Sequence, residues 1–353
     1  MKKDVLPRAL LAWYDAHRRE MPWRGHPDPY AVWVSEIMLQ QTQVETVRGY
    51  FERFLAVFPT VETLAEAPQQ QVLKLWEGLG YYARARNLQK AAREVVARGG
   101  GLPRDVGGWS ALPGVGAYTA AAIASICWGH ASPVVDGNVI RVFARYLGWS
   151  DDFRKPQSRA RLAAWLQPHI KASGRPGDFN QAMMELGAML CAPRAPGCGE
   201  CPLRRGCAAE REGRQAEFPF RPAKKAMPTR QAVALLIRDG AGRVLVTQRT
   251  EEGLLGGLWE LPNREVAAGS VPDSADPSAV LPDAPLSSAE PRGAFTHVFS
   301  HFKLVWHVWE ARLRRRWKPA AARRPPSRFA TPGELPLTTL TRRIIENVPD
   351  QRA

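Results

Sequence analysis

Cysteine is scarce in this chain, with five residues in 353, and the amino terminus, MKKDVLPRALLAWYD, has two lysines but no apolar core behind them. An odd, sparse cysteine set in a large chain without an export signal argues against a disulfide framework. The missing apolar core argues against a secretory signal and makes the cytoplasm the expected compartment. Long hydrophobic runs are also missing. The most apolar stretch, AYTAAAIASICWG at 117–129, is too short for a bilayer that needs about 20 apolar residues. Its small residues suit a closely packed interior helix. No repeat recurs at the period of a solenoid. Acidic residues are in deficit, 34 Asp and Glu against 49 Lys and Arg, for a formal net charge of +15. Such an excess in a folded chain points to a polyanionic partner without naming it.

Apolar residues make up 45% of the chain, with 12 Trp and 12 Phe, enough to fold. A length of 353 residues exceeds what one core serves, so two domains are expected. From about Tyr30 to Cys207 apolar residues recur at helical spacing between Pro and Gly breaks. QAEFPFRPAKKAMPTR, 215–230, reads as a linker. Beyond it the period becomes that of strands: QAVALLIRDGAGRVLVTQR reads as a hairpin around RDGAG, and AFTHVFSHFKLVWHVWEARL alternates. Residues 267–290, mainly Ala, Ser, Pro and Asp, have little to bury and read as a poorly ordered loop.

Four of the five cysteines lie in CAPRAPGCGECPLRRGC, 191–207, spaced C-x6-C-x2-C-x5-C. Structural zinc sites usually carry two short ligand pairs, and only Cys198 and Cys201 form one. The spacing therefore favours an iron-sulfur cluster over zinc, although both metals accept four thiolates. Cys127, in the apolar segment, is a small core residue. Arg194, Arg204 and Arg205, threaded through the loop, are either phosphate contacts held by a metal-pinned loop or solvated charges.

LPGVGAYTA, 112–120, sets Gly114 and Gly116 in a tight turn between helical segments. There a backbone can approach a ligand closely, and a following helix start favours an anionic oxygen. In SPVVDGNVIRVFARYLG, Asp136 precedes an amphipathic helix as its N-cap, where the helix dipole favours an ionised carboxylate. In YAVWVSEIMLQQTQVETVRGYFERFLAVF, read as one ideal helix, Glu36 shares an arc with Trp33, Val44, Val47, Phe51 and Phe54. A buried acid there is either satisfied by a neighbour such as Gln40 or Ser35, or raised in pKa until it becomes a proton donor.

Taken together, MPWR, VSEIMLQQTQV, GLGYYARARNL, LPGVGAYTA, VVDGNVIRV, FNQAMMELGAMLC and the cysteine loop resemble the MutY family of adenine DNA glycosylases, within the helix-hairpin-helix superfamily. The resemblance covers nearly the whole chain. It implies a multi-domain fold: a mostly α-helical helix-hairpin-helix glycosylase domain with a cluster loop, followed by an α/β (α+β) Nudix-like domain. The expected boundaries are 1–214 for the helical domain, 215–229 for the linker and 230–353 for the Nudix-like domain. Within the first, about 24–130 would form a six-helix barrel, and the N-terminal segment with about 131–207 the iron-sulfur part.

The resemblance further implies excision of adenine mispaired with 8-oxoguanine, or with guanine, in double-stranded DNA. The expected protein is a cytoplasmic, nucleoid-associated bacterial monomer of base excision repair with no membrane partner. One [4Fe-4S] cluster would sit on Cys191, Cys198, Cys201 and Cys207. Glu36 and Asp136 match the catalytic pair. Arg19, Trp23, Arg24, Leu39 and Gln181 match the adenine pocket, and Asn138 lies near the sugar. Gln41, with Thr42 beside it, and Tyr81 match residues that fill the duplex beside 8-oxoguanine. Gly114, Val115, Gly116 and Tyr118 belong to the hairpin. Phe299, Ser300 and His301 match the loop that inspects 8-oxoguanine.

In bifunctional relatives of the endonuclease III type a lysine in the hairpin forms a Schiff base; here Tyr118 stands there, so base removal without efficient strand nicking is expected. The C-terminal half lacks the G-x5-E-x7-R-E-U-x-E-E signature of a magnesium-dependent hydrolase and reads as a recognition domain. His297, His301 and His307 fit core or surface roles better than zinc. Two other readings stand beside this one: a bifunctional endonuclease III-like glycosylase with lyase activity, and a non-catalytic DNA-binding iron-sulfur redox sensor.

Overall fold

The computed structural model describes residues 5–222, 226–266, 277–315 and 325–349, together with 317 and 319. Two compact units divide the chain: Met1–Glu66 with Asn87–Ala223, and Ala67–Arg86 with Lys224–Ala353.

The first unit is helical: α1 (Val5–His17), α2 (Pro29–Leu39), α3 (Val44–Val57) and α4 (Val61–Glu66) precede the stretch that belongs to the second unit, which holds α5 (Gln69–Leu75). Then follow α6 (Ala83–Ala97), α7 (Val106–Ser110), α8 (Ala117–Trp128), α9 (Gly137–Leu147), α10 (Pro156–Ser173), α11 (Pro176–Met189) and α12 (Ala208–Arg211). Both α2 and α8 are central. Every residue from Tyr30 to Met38 is buried, as is every residue from Thr119 to Ser125, as expected of helices apolar on all sides. Helices α1, α9, α10 and α11 enclose a second core around Leu10, Phe143, Leu166 and Leu186, each fully buried. Each such side chain contributes roughly 1.5–3 kcal/mol relative to exposure.

The segment read as one continuous helix is two. Helix α2 ends at Leu39, and Gln41 adopts φ 57° before α3 begins. Glu36 is therefore buried by the central position of α2 and not by a stripe shared with α3. Asp28 starts α2, its carboxylate accepting from Tyr30 N at 2.8 Å, with Pro29 at the first helical position, where a missing N–H costs nothing.

Among its described residues the second unit holds, besides α5, seven strands and a helix after them. One sheet runs β4 (Asn263–Val266), β1 (Thr229–Ile237), β6 (Lys303–Leu313), β5 (Leu286–Val298), with β1 and β6 parallel. The other runs β3 (Trp259–Glu260), β2 (Val244–Gln248), β7 (Ser327–Ala330). Helix α13 (Thr339–Asn347) buries Leu340 and Ile344 in a core that also takes residues from both sheets. The expected β1–β2 hairpin does not form as a ladder: the two strands join different sheets and share one bridge, Arg238–Val244. Asp239 reorganises the turn, accepting from the N–H groups of Ala241 and Arg243. Of the stretch read as a poorly ordered loop, 267–276 lies outside the described residues. The remainder is ordered, with a 3-10 turn at Pro277–Val280 and β5 starting at Leu286. Of the expected linker, Gln215–Glu217 forms a 3-10 turn and 223–225 lie outside the described residues.

Candidate active site and cysteine centre

A cavity of about 160 Å³ in the first unit is lined by Arg19, Trp23, Arg24, Glu36, Leu39, Thr42, Tyr118, Asp136, Asn138 and Gln181. Ten of the sequence-predicted residues thus meet in one place, from α2, α8, the start of α9, α11, the turn after α1 and the α2–α3 turn. Glu36 is 5% exposed. Burial pushes its carboxyl up to about 7, against a hydrogen bond from the Tyr118 hydroxyl to Oε2 at 3.2 Å. Of the two expected neighbours, Ser35 Oγ donates to Val32 O and Gln40 Nε2 to Thr119 Oγ1.

Asp136 caps α9. Its Oδ1 accepts from Val139 N at 2.7 Å and its Oδ2 from Asn138 Nδ2 at 2.9 Å. Burial nevertheless holds this carboxyl above its ordinary range, the cap bonds pulling the other way. The helix dipole was expected to dominate at this position; desolvation outweighs it, because the cap also faces the cavity. Asn138 Oδ1 in turn accepts from Arg141, which also donates to the carbonyls of Gly187 and Cys191. Gly187 permits this packing: a Cβ there would lie 2.6 Å from that of Asn138.

Sequence reasoning missed Glu185. Its carboxylate accepts from the Arg19 backbone at 2.9 Å, from Arg19 Nε and Nη2, and from both Arg24 Nη atoms. Burial would raise its pKa, but the two guanidinium groups outweigh it and hold the carboxyl at about 2. Arg24 Nε also donates to Gln181 Oε1 at 3.2 Å. The signal was in the sequence: Glu185 stands four residues after Gln181 on one helix, and so on the same face. The Tyr118 to Glu36 bond joins residues 82 apart and left no local trace.

The remaining predicted residues lie elsewhere. Gly114, at φ 75°, packs where a Cβ would come within 2.6 Å of Asn87 Cβ. Val115 is buried, and Gly116 starts α8 with no side-chain acceptor for its first-turn amides. Gln41 is exposed in the α2–α3 turn. In the second unit, Phe299, Ser300 and His301 form the turn between β5 and β6, and Tyr81 Oη lies 2.6 Å from Ser300 Oγ. The Phe299 and Phe302 rings stack at 4.8 Å. His307 Nε2 bonds Gln231 Oε1, and the half-buried His297 packs edge-on against Phe299.

Cys191, Cys198, Cys201 and Cys207 line a second, apolar cavity of the first unit with Val142, Leu186 and Leu203. Burial pushes the Cys201 thiol up to about 11 and raises that of Cys207, so these sulfurs ionise there only beside a cation. Arg145 Nη1 donates to Cys191 Sγ at 3.3 Å. Of the three loop arginines, Arg204 pairs with Glu210 at 2.8 Å, while Arg194 and Arg205 are exposed.

Residues 34–168 match the family profile described as HhH-GPD superfamily base excision DNA repair protein, and 233–347 match the NUDIX domain. The chain is 38% identical to the adenine DNA glycosylase of Rattus norvegicus, over 92% of this chain and 73% of the relative. It is 36% identical to the Homo sapiens adenine DNA glycosylase, over 85% and 66%. Among solved structures it resembles a thermostable thymine-DNA glycosylase at 30% identity and TM-score 0.55, over 60% of this chain and 97% of that one. With a helix-hairpin-helix unit, a Nudix-like unit and two acids in one cavity, this chain belongs to the adenine DNA glycosylase family.

Proposed function

We propose that this chain hydrolyses the N-glycosidic bond of adenine mispaired with 8-oxoguanine, or with guanine, in duplex DNA, acting as a monomer and without efficient strand cleavage. The observation that carries this reading is the meeting of Glu36 and Asp136 in one cavity with unlike surroundings. Glycosidic cleavage leaves positive charge on the sugar and negative charge on the base, and it calls for an acid and an anion flanking one nucleoside. Glu36, hydrogen-bonded by the neutral Tyr118 phenol and with a pKa of about 7, supplies the acid and protonates the departing adenine at N7. Asp136, held by Val139 N and Asn138, faces the oxocarbenium ion as a carboxylate or captures it covalently. Deprotonated Glu36 then activates water.

Arg19 and Arg24, fixed by Glu185, and Gln181 offer donors to a flipped-out base. The hairpin around Gly114–Gly116 offers backbone amides to a phosphate. Tyr118 carries no amine, and its hydroxyl is committed to Glu36, so no imine forms.

The cysteine centre fits a [4Fe-4S] cluster held by Cys191, Cys198, Cys201 and Cys207. The spacing C-x6-C-x2-C-x5-C holds one short pair, Cys198 and Cys201, which favours the cluster over zinc. When bound, the cluster cross-links the loop through iron-thiolate bonds. Arg145 holds the loop's start through the carbonyls of Ala192 and Pro193.

The test is a duplex with one A opposite 8-oxoguanine. Free adenine with an intact strand is the expected product. Strand nicking with an adduct trapped by borohydride would replace this reading with the bifunctional one, and binding without release would leave only a DNA-binding protein.

A further inference from the structure

We infer that Glu77 is a positioning residue for reading the base opposite adenine, an inference that rests on the role given above to Tyr81 and Ser300. Tyr81 sits at φ 47°, a left-handed backbone that a tyrosine keeps only when its surroundings over-determine it. Its turn is fixed internally: Trp76 Nε1 donates to Gly80 O at 3.2 Å, Gly78 N donates to Tyr82 Oη at 3.0 Å, and Arg84 donates to the carbonyls of Leu79 and Gly80 at 3.1 Å. None of these bonds reaches the strands that carry Ser300.

Glu77 makes that link. Its Oε1 accepts from Leu337 N and from Arg342 Nε, each at 3.0 Å, and its Oε2 accepts from Lys74 Nζ at 2.8 Å. Arg342 lies on α13, and the next residue, Arg343, donates to Thr296 O on β5, four residues before Ser300. A continuous path therefore runs from the Tyr81 turn through Glu77, α13 and β5 to the inspecting loop, all within the second unit. At its end two hydroxyls stand 2.6 Å apart, a contact that a displacement of about 1 Å abolishes. Gln70, Lys74 and Arg86 add ties to Gly257, Leu335 and Gly256, but Glu77 lies nearest to Tyr81 in sequence and is the carboxylate among them.

Single-turnover adenine release from A:8-oxoG and A:G duplexes tests this on the full chain. Glu77→Ala and Arg342→Ala should each lower the ratio of the two rates roughly tenfold, the effect of one lost charge-assisted contact, and leave the A:G rate within about twofold. In a Ser300→Ala background the loss of preference should vanish, as expected of residues acting through one contact. Should Glu77→Ala fail to fold, Glu77→Gln and Arg342→Ala carry the same test. A preference unchanged in the folded variants, an equal slowing on both duplexes, or a penalty undiminished when Ser300 is absent overturns the inference alone. A wild type without preference between the duplexes overturns the role of Tyr81 and Ser300, and this inference with it.

Discussion

Each unit buries a glutamate, and the two behave differently because of what they face. Glu36 in the helical unit is raised to about 7, with a phenol as its hydrogen-bond donor and Asp136 lining the same cavity. Glu260 in the second unit is 9% exposed and also raised by burial, yet Arg249 Nη1 donates to it at 2.6 Å. Burial alone does not make a proton donor. A guanidinium beside the carboxyl turns the same desolvated group into a structural ion pair, as it does for Glu185 a few side chains from Glu36. The contrast leaves Glu36, and not Glu260, as the candidate proton donor.

The hardest blow to this contrast is Glu36→Gln, which keeps the shape and removes the proton. Single-turnover adenine release should fall at least about 10²–10⁴-fold while DNA binding, measured separately, stays close to wild type. Glu185→Gln comes next: with one charge gone, Arg19 and Arg24 lose their anchor. The expected loss in kcat/KM is about ten- to a hundredfold, from roughly 1.5–3 kcal/mol of charge-assisted bonding. Glu260→Gln should have the smallest effect on chemistry, with release within about twofold of wild type, and should instead lower thermal stability by roughly 1–3 kcal/mol through the weakened Arg249 pair. A large loss of activity in Glu260→Gln, with stability intact, would erase the distinction.

Asp136 was legible because an N-cap announces itself: a short acid, then an amphipathic helix closed by Gly148. The burial of Glu36 was legible for a mistaken reason. The break at Gln40–Gln43 holds neither Gly nor Pro, so periodicity ran through it unchecked, although Gln41 turns left-handed there. The hairpin between β1 and β2 misled in the opposite way. RDGAG does turn the chain, but sheet membership is settled by long-range pairing, and the parallel partner of β1 lies across 66 residues, from Ile237 to Lys303. Glu185 showed in the sequence only as a neighbour of Gln181 on one helix face; its arginine partners, like the partner of the Tyr118 phenol, are set by packing and not by neighbours in sequence.

The pH dependence of single-turnover adenine release tests the central claim most directly. Glu36 must be protonated to act, and its carboxyl is raised to about 7, so the rate should decline about tenfold per unit as pH rises above about 7. A rate indifferent to pH between about 5 and 9 would mean that this buried carboxyl does not carry the proton, and would contradict the account.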